Sequence, residues 1–219
     1  KLWVLNSLAV EKLDLAAHKD LPGIELNATG VPTGRLFRLD AWLRQQLGQQ
    51  DPIDVSVLSR QMASFGITGF TDTSATNTAA TVAQFQQMHE RGEILQNASL
   101  MGDDSLECGH LKILLDEDNL PPLNELEARI RRARKKKRGI AFHCVTHTEL
   151  LFAIAALNSC ADLDPQIQFA DRIEHGAVVF DDVLPMLRAL NLSVITQTAF
   201  LYERGPQYQR NLTAHELAH

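Results

Sequence analysis

The feature that most constrains this chain is a repeated alternation of helix-like and strand-like segments over most of its length. Residues 55–65 carry apolar side chains at helical spacing, Gly66 ends that pattern, and residues 67–72 have the composition of a buried strand. The alternation returns with helix-like segments at 79–91, 123–138, 148–158 and 183–190 and strand-like segments at 94–101, 111–116, 140–145, 172–179 and 192–198. Because repeated βα units build a parallel sheet with helices packed outside it, the sequence predicts the α/β class.

Spacing along the chain refines this prediction. Lys112, His143 and His175 lie 31 and 32 residues apart, close to the roughly 30 residues of one βαβ unit, so we expect them at equal heights on successive strands. Residues 102–109 are too few for the crossover helix that a parallel connection usually contains. Residues 15–38 are rich in Gly, Pro and Asn and are predicted to be an irregular segment with room for a short hairpin, within a single domain spanning 1–219.

Charge and cysteine content disfavour several functional classes. The chain has 21 Lys and Arg against 27 Asp and Glu, a net charge of −6 at pH 7, which argues against nucleic acid or an anionic membrane as a partner. The basic run at residues 129–138 ends a predicted helix, where we expect solvent to take its charge. Three cysteines without a CxxC pair indicate reduced thiols and a cytoplasmic location. Residues 1–10 are too short and too polar for a signal peptide or a membrane span.

Polar residues stand near the carboxyl ends of the predicted strands, where parallel sheets bind ligands and carry out catalysis. They are Asp72, Lys112, His143, His175 and Gln197 with Thr198. One strand histidine is more often a hydrogen-bonded structural residue than a ligand, but two at matched positions favour a metal site, because neutral imidazole binds zinc and related ions. His147 has no HExxH context and is predicted to be a loop residue near the mouth of this site.

Lys112 is unusual because it interrupts an apolar strand, LKILLD. A buried ammonium group costs several kcal/mol unless it is paired. Three explanations stay open: a side chain that reaches solvent, an ionic partner such as Asp116, or chemical modification. Carbamylation by carbon dioxide would turn the amine into an anionic oxygen ligand of the kind that hard or borderline cations accept.

Several segments together resemble the metal-dependent amidohydrolase superfamily, and the most similar branch is the amidohydrolase-3 group that includes N-substituted formamide deformylase. The segments are VPTGRL, GITGFTD, LKILLD with Lys112, AFHCVT with His143, and DRIEHGAVV with His175. The resemblance implies a TIM-type (β/α)8 barrel with metal at the carboxyl ends of its strands. It also implies a ligand set: an HxH pair on the first strand, a lysine on the fourth, histidines on the fifth and sixth, and an aspartate on the eighth.

Lys112, His143 and His175 match the middle three of these metal ligands, whereas the 219 residues contain no HxH triplet and no final aspartate strand. The sequence therefore predicts an incomplete barrel, an interior fragment of the family's chain. The family's general base would be the missing aspartate, so the catalytic residues are unknown. An open barrel leaves strand edges that pair with another chain, which makes a homo-oligomer a further expectation.

The resemblance implies a hydrolase of carbon–nitrogen bonds in a small amide or formamide substrate, with water activated by one or two divalent ions, most simply zinc. Gln197, Tyr202 and Arg204 are the predicted substrate-binding residues, and loops at 74–78, 116–122 and 200–208 are expected to shape the pocket. Two alternatives stay open. The chain is an inactive fragment or degenerate homologue of such an enzyme, or it is a module that binds a ligand in the same crevice without turnover.

Overall fold

A computed structural model describes residues 2–48, 54–161 and 169–218 of the chain. The fold divides into two compact units, Lys1–Asp54 and Val55–His219. The single barrel domain expected for residues 1–219 stays a prediction.

The first unit is a small antiparallel sheet with two short helices. Its elements are β1 (Leu2–Val4), α1 (Ser7–Lys12), β2 (Ile24–Leu26), β3 (Pro32–Phe37) and α2 (Asp40–Leu47), with the strands in the order β1-β3-β2. The hairpin left open for residues 15–38 is present, because β2 and β3 pair antiparallel. Its turn is held by Asn27, whose side-chain oxygen accepts from the backbone N–H groups of Thr29 and Val31.

The second unit confirms the α/β class. Its strands are β4 (Gly69–Asp72), β5 (Asn97–Leu100), β6 (Leu111–Leu114), β7 (Ile140–Cys144), β8 (Arg172–His175) and β9 (Ser193–Ile195). Its helices are α3 (Ser56–Ser64), α4 (Ala79–Glu90), α5 (Leu123–Lys135), α6 (His147–Asn158), α7 (Leu184–Ala189) and α8 (Ala199–Asn211).

All strand pairs in this unit are parallel. They form a sheet β4-β5 and a sheet β6-β7-β8-β9, and a single bridge between Gly102 and Leu111 links the two. Among the described residues the strands do not close into a ring, so the (β/α)8 barrel stays a proposal.

The apolar core lies on one face of the larger sheet. Successive side chains of a strand point to opposite faces, so only alternate residues of each strand enter this core. On β7, Ile140, Phe142 and Cys144 are fully buried in this core, which also includes α5, α6 and α7. The residues that alternate with them, Ala141 and His143, therefore lie on the other face. The sheet thus presents its polar residues on the face away from these helices.

The side chain of Arg138 holds the connection between β5 and β6, which contains no helix. This side chain is only 2 % exposed, and its guanidinium donates to the backbone carbonyls of the connecting loop. The acceptors are Asp103, Leu106, Gly109 and His110, at 2.8 to 3.1 Å. A planar group with five N–H donors thus satisfies the carbonyls of a segment too short for a helix.

The prediction that solvent takes the charge of residues 129–138 is wrong for two of the arginines. Arg138 is buried, and Arg134 forms a buried ion pair with Asp171. Asp171 also accepts from the backbone N–H of Ile140 at 2.7 Å, so it fastens the start of β7 to the end of α5. The sequence of a basic run does not show which of its side chains are exposed and which donate hydrogen bonds to buried acceptors.

The predicted pocket loop at 200–208 is instead part of helix α8, which continues through Gly205 and Pro206. These two residues usually interrupt helices, which is why the sequence suggested a loop. No described helix of the chain is long and apolar enough to cross a membrane. The cytoplasmic location stays a prediction.

Candidate metal centre

His143 and His175 meet at the carboxyl ends of neighbouring strands. Their ring centroids are 4.6 Å apart and the rings are nearly perpendicular, at 83°. The two rings are therefore in direct contact, and their role as ligands of one ion stays a prediction. Lys112 lies on the adjacent strand β6, on the same face as His143.

The prediction of equal heights is wrong in detail. In the strand register, His143 pairs with Glu174 and Lys112 pairs with Ala141, so Lys112 lies two residues deeper in the sheet than His143. His175 lies one residue beyond Glu174, and strict alternation would direct it to the core face with Ile173. Equal sequence spacing does not fix the register, because the lengths of the connecting loops differ.

His175 reaches His143 through an unusual backbone conformation. Its φ angle is +77°, in the left-handed region, and Gly176 follows with a φ of +51°. This region costs an L-residue with a side chain about 1–2 kcal/mol. Strained residues of this kind cluster at functional sites, where the surrounding structure holds them in place.

Gln197, just beyond β9, orients the His175 ring through a hydrogen bond. The ring Nδ1 donates to the Gln197 Oε1 at 2.6 Å. Because an amide oxygen only accepts, the neutral His175 carries its proton on Nδ1 and leaves Nε2 with a free lone pair. A histidine held in this way is ready to bind a metal ion through Nε2.

The surroundings of His143 favour its neutral form. Burial lowers its pKa, and the nearby charges of His175 and Lys112 lower it further. A neutral imidazole has the lone pair that a metal ion requires. A hydrogen bond from Nδ1 thus orients the His175 ring, whereas burial and nearby charge act on the pKa of His143.

Lys112 is only 4 % exposed, so the alternative of a side chain that reaches solvent is excluded. Burial lowers the pKa of its ammonium group to about 8, and the charge of Glu174 opposes this shift. Asp116, the partner considered from the sequence, caps the turn at Glu117–Asn119 by accepting from the Asp118 N–H. A neutral amine is thus accessible to Lys112 in mildly alkaline solution.

Three charged residues near the pair of His143 and His175 were not identified from the sequence. Arg172 and Glu174 alternate along β8 and form an ion pair of 2.5 Å on the face of His143. The two-residue spacing in RIEH was the available signal. Glu149, at the start of α6, is buried and accepts backbone N–H groups at the end of β7. Its signal was the TxxE capping pattern.

The other predicted polar residues lie elsewhere. Asp72 organises the 74–78 loop, because its side chain accepts from the Ser74 N–H and from the Asn77 amide. Tyr202 is 92 % exposed on α8, and the guanidinium of Arg204 lies 5.1 Å from the Phe200 ring centroid. Of the predicted substrate-binding residues, the described contacts bring Gln197 to the histidine pair, and the substrate roles of all three stay predictions.

His147, predicted to lie in a loop at the site mouth, begins α6, and its ring packs 4.2 Å from the ring of Phe180. Its Nδ1 is buried without a hydrogen-bond partner among the described residues.

The donor set fits a metal ion in part. The imidazole rings of His143 and His175 are in contact, and the Nδ1 of His175 is hydrogen-bonded to Gln197. The buried amine of Lys112 lies deeper on the same face of the sheet as His143. Within the described ranges, however, no group of three or more His, Cys, Asp or Glu residues is arranged to hold an ion. The face therefore provides a histidine pair to which Lys112 is the nearest candidate third ligand on the adjacent strand.

Comparisons with known proteins agree with this fold. No family model matches the chain, and no curated protein matches it. It is similar to the crystal structure of an uncharacterized metal-dependent hydrolase from Pyrococcus furiosus, with 16% identity and a TM-score of 0.68 over 96% of this chain. A second such hydrolase, from Pyrococcus horikoshii OT3, has 14% identity and a TM-score of 0.69 over 97% of this chain. The chain spans 50% of each of these structures, and at such identities the likeness shows the shared α/β fold.

Proposed function

We propose that this chain carries the metal-binding strands of a TIM-type (β/α)8 barrel from the amidohydrolase superfamily, in the amidohydrolase-3 group, and that it takes part in hydrolysis of carbon–nitrogen bonds. The observation that carries the proposal is the convergence of His143 and His175, with Gln197 holding the Nδ1 proton of His175. The two Pyrococcus structures reported above are described as metal-dependent hydrolases, which supports a divalent ion. The substrate is a small amide or formamide.

In this proposal His143, His175 and Lys112 are the metal ligands, and the ion is most simply zinc, as one or two ions. When bound, such an ion lowers the pKa of water and polarises a carbonyl oxygen. Gln197 accepts the Nδ1 hydrogen of His175, so Nε2 would be the atom of this ring that holds the ion. Lys112 contributes as a neutral amine, or as a carbamate after reaction with carbon dioxide. The general base is not among the residues assigned here.

A second candidate is a ligand-binding module without turnover, formed by an inactive relative of these hydrolases. The observation that favours it is the histidine pair itself, to which the described ranges add no further His, Cys, Asp or Glu ligand. Such a module has no assigned base and would retain much less than one ion per chain through purification.

Metal content tests the two candidates. The protein is purified without chelators, and zinc, iron, manganese and nickel are counted per chain by plasma mass spectrometry for the wild type, His175→Ala and His89→Ala. His89 lies on α4, where its ring contacts the Ile94 carbonyl, and serves as a matched control. We expect nearly one ion per chain in the wild type and in H89A, and a severalfold loss in H175A. Metal-free wild-type protein would contradict the metalloenzyme proposal.

A further inference from the structure

We propose that Glu149 is a positioning residue that fixes the loop after β6 against the end of β7, and so sets the spacing of the two strands that carry Lys112 and His143. The inference rests on the metal centre proposed above. It assigns a task to a buried carboxylate that lies outside the ligand set.

The Glu149 carboxylate is 6 % exposed and accepts three backbone N–H groups. One oxygen, Oε2, accepts from Val145 at 2.6 Å and from Thr146 at 3.1 Å, directly after β7. The other oxygen, Oε1, accepts from Glu117 at 3.3 Å, in the turn that follows β6. The two oxygens of one carboxylate therefore hold two different loops.

Helix capping explains only part of this arrangement. A capping box needs the Glu149 side chain to accept from the Thr146 N–H and the Thr146 hydroxyl to accept from the Glu149 N–H, and both bonds are present. The bonds from Val145 and Glu117 are not part of that motif. The Glu117 bond spans 32 residues of sequence and joins one βα unit to the next.

The position of this bond gives it an effect on the site. Val145 is two residues after His143, and Glu117 is five residues after Lys112. The loops at the carboxyl ends of parallel strands form the rim of the crevice in which ligands bind. A carboxylate that ties these two loops restricts how far the strand ends separate, and groups outside the ligand set that orient metal ligands typically change metal affinity 10–100-fold when removed.

Glu117→Pro tests the inter-loop bond by itself, because proline lacks the N–H that Glu149 accepts. The backbone accommodates it: Asp116, the preceding residue, has φ −147° and ψ 112°, the extended conformation that precedes proline, and residue 117 begins a short 3-10 turn. Glu117→Ala keeps the N–H and is the matched control. Glu149→Gln is the second variant, because its single oxygen cannot serve both loops.

Two readouts are measured on the purified chain. Cobalt(II) is titrated as a probe of the metal centre, and its dissociation constant and visible absorption spectrum are recorded. Hydrogen exchange then follows the amide of residue 117 in the wild type, E117A and E149Q. The amide of Val145 is followed in the same proteins. We expect E117P and E149Q to raise the cobalt dissociation constant about tenfold, with E117A unchanged. E149Q should also speed exchange at Glu117 while Val145 stays protected.

Thr146→Ala separates positioning from general stability. It removes the hydroxyl half of the capping box and should lower the denaturant midpoint while the cobalt dissociation constant stays at the wild-type value. Wild-type cobalt affinity in both E117P and E149Q would overturn the positioning role. If the wild type itself binds no cobalt, the metal-centre proposal fails, and exchange at Glu117 decides the loop bond: wild-type protection in E149Q would overturn it.

Discussion

At the scale of single residues, the candidate site contains two residues whose backbone conformation or burial lowers the stability of the fold. His175 adopts a positive φ angle, and Lys112 is buried with its ammonium group below its usual pKa. Each of these costs free energy that a more ordinary residue would not. Both residues lie on the polar face of the sheet, beside His143. Costs that coincide at one place are typical of sites retained for function.

Gln197→Leu removes the acceptor that holds the His175 proton. We expect zinc affinity, measured by calorimetry, to fall about 10–100-fold, because the ring is then free to change tautomer and orientation. The free energy of unfolding should change by less than about 0.5 kcal/mol, since Gln197 is a surface residue. Gln207→Leu, at an exposed position on α8, is the control and should leave zinc affinity unchanged. Equal affinities in the two variants would remove Gln197 from the site.

Lys112→Met tests the buried ammonium group. Folding lowers the Lys112 pKa from 10.5 to about 8, so between these values the unfolded chain holds a proton that the folded chain has released. Stability from this group is therefore absent below pH 8 and is gained as the pH rises to 10.5, by about 3 kcal/mol in total. Urea titrations of metal-free wild type and K112M should show the wild type gaining stability relative to the variant over this window.

The comparison of two proteins also removes most of the contribution of Cys144. Burial raises the pKa of that thiol from 9.0 to about 12, so its contribution has the opposite sign and is lost as the pH rises above 9. Burial, the largest cause of this shift, acts on Cys144 in both proteins and cancels in their difference, whereas the smaller effect of the Lys112 charge on the thiol is lost in K112M. A difference that stays constant from pH 7 to 10.5 would show that Lys112 keeps an ordinary pKa.

At the scale of elements, the sequence predicted the alternation but not the register. The order of strands and helices from α3 to β9 follows the hydrophobic pattern, because that pattern depends on local periodicity. The left-handed turn at His175 and the helix through Pro206 depend instead on contacts made after folding. The histidine pair was therefore predictable from strand ends, whereas the contributions of Glu149 and Glu174 required the folded neighbours.

Arg138→Lys tests how the β5–β6 connection is held. A lysine has three donors at one nitrogen and cannot reach the carbonyls that the planar guanidinium of Arg138 serves, so several buried acceptors lose their partner. We expect a loss of about 3 kcal/mol in the free energy of unfolding. Arg132→Lys, at an exposed position on α5, should change it by less than about 0.5 kcal/mol. Similar losses in both variants would contradict the bracing role of Arg138.

At the scale of the whole molecule, the parallel sheet ends in strands that have one neighbour each. Among the described residues, β9 pairs with β8 and β4 pairs with β5, and no strand covers the other side of either. Unpaired edges attract strands of another chain unless something blocks them. The homo-oligomer expected from the sequence stays a prediction, and β4 and β9 are the edges through which it would pair.

Val194→Pro tests pairing at the β9 edge. The Ser193 N–H donates to the Asp171 carbonyl of the neighbouring chain segment, and N–H groups alternate along a strand, so the Val194 N–H points to the open side. Proline removes this donor and leaves the β8 ladder intact, whereas Val194→Ala reduces the side chain and keeps the donor. Sedimentation equilibrium should show self-association that rises with concentration in the wild type and V194A and is weakened in V194P. A wild-type monomer at every concentration would show that this edge is protected in solution.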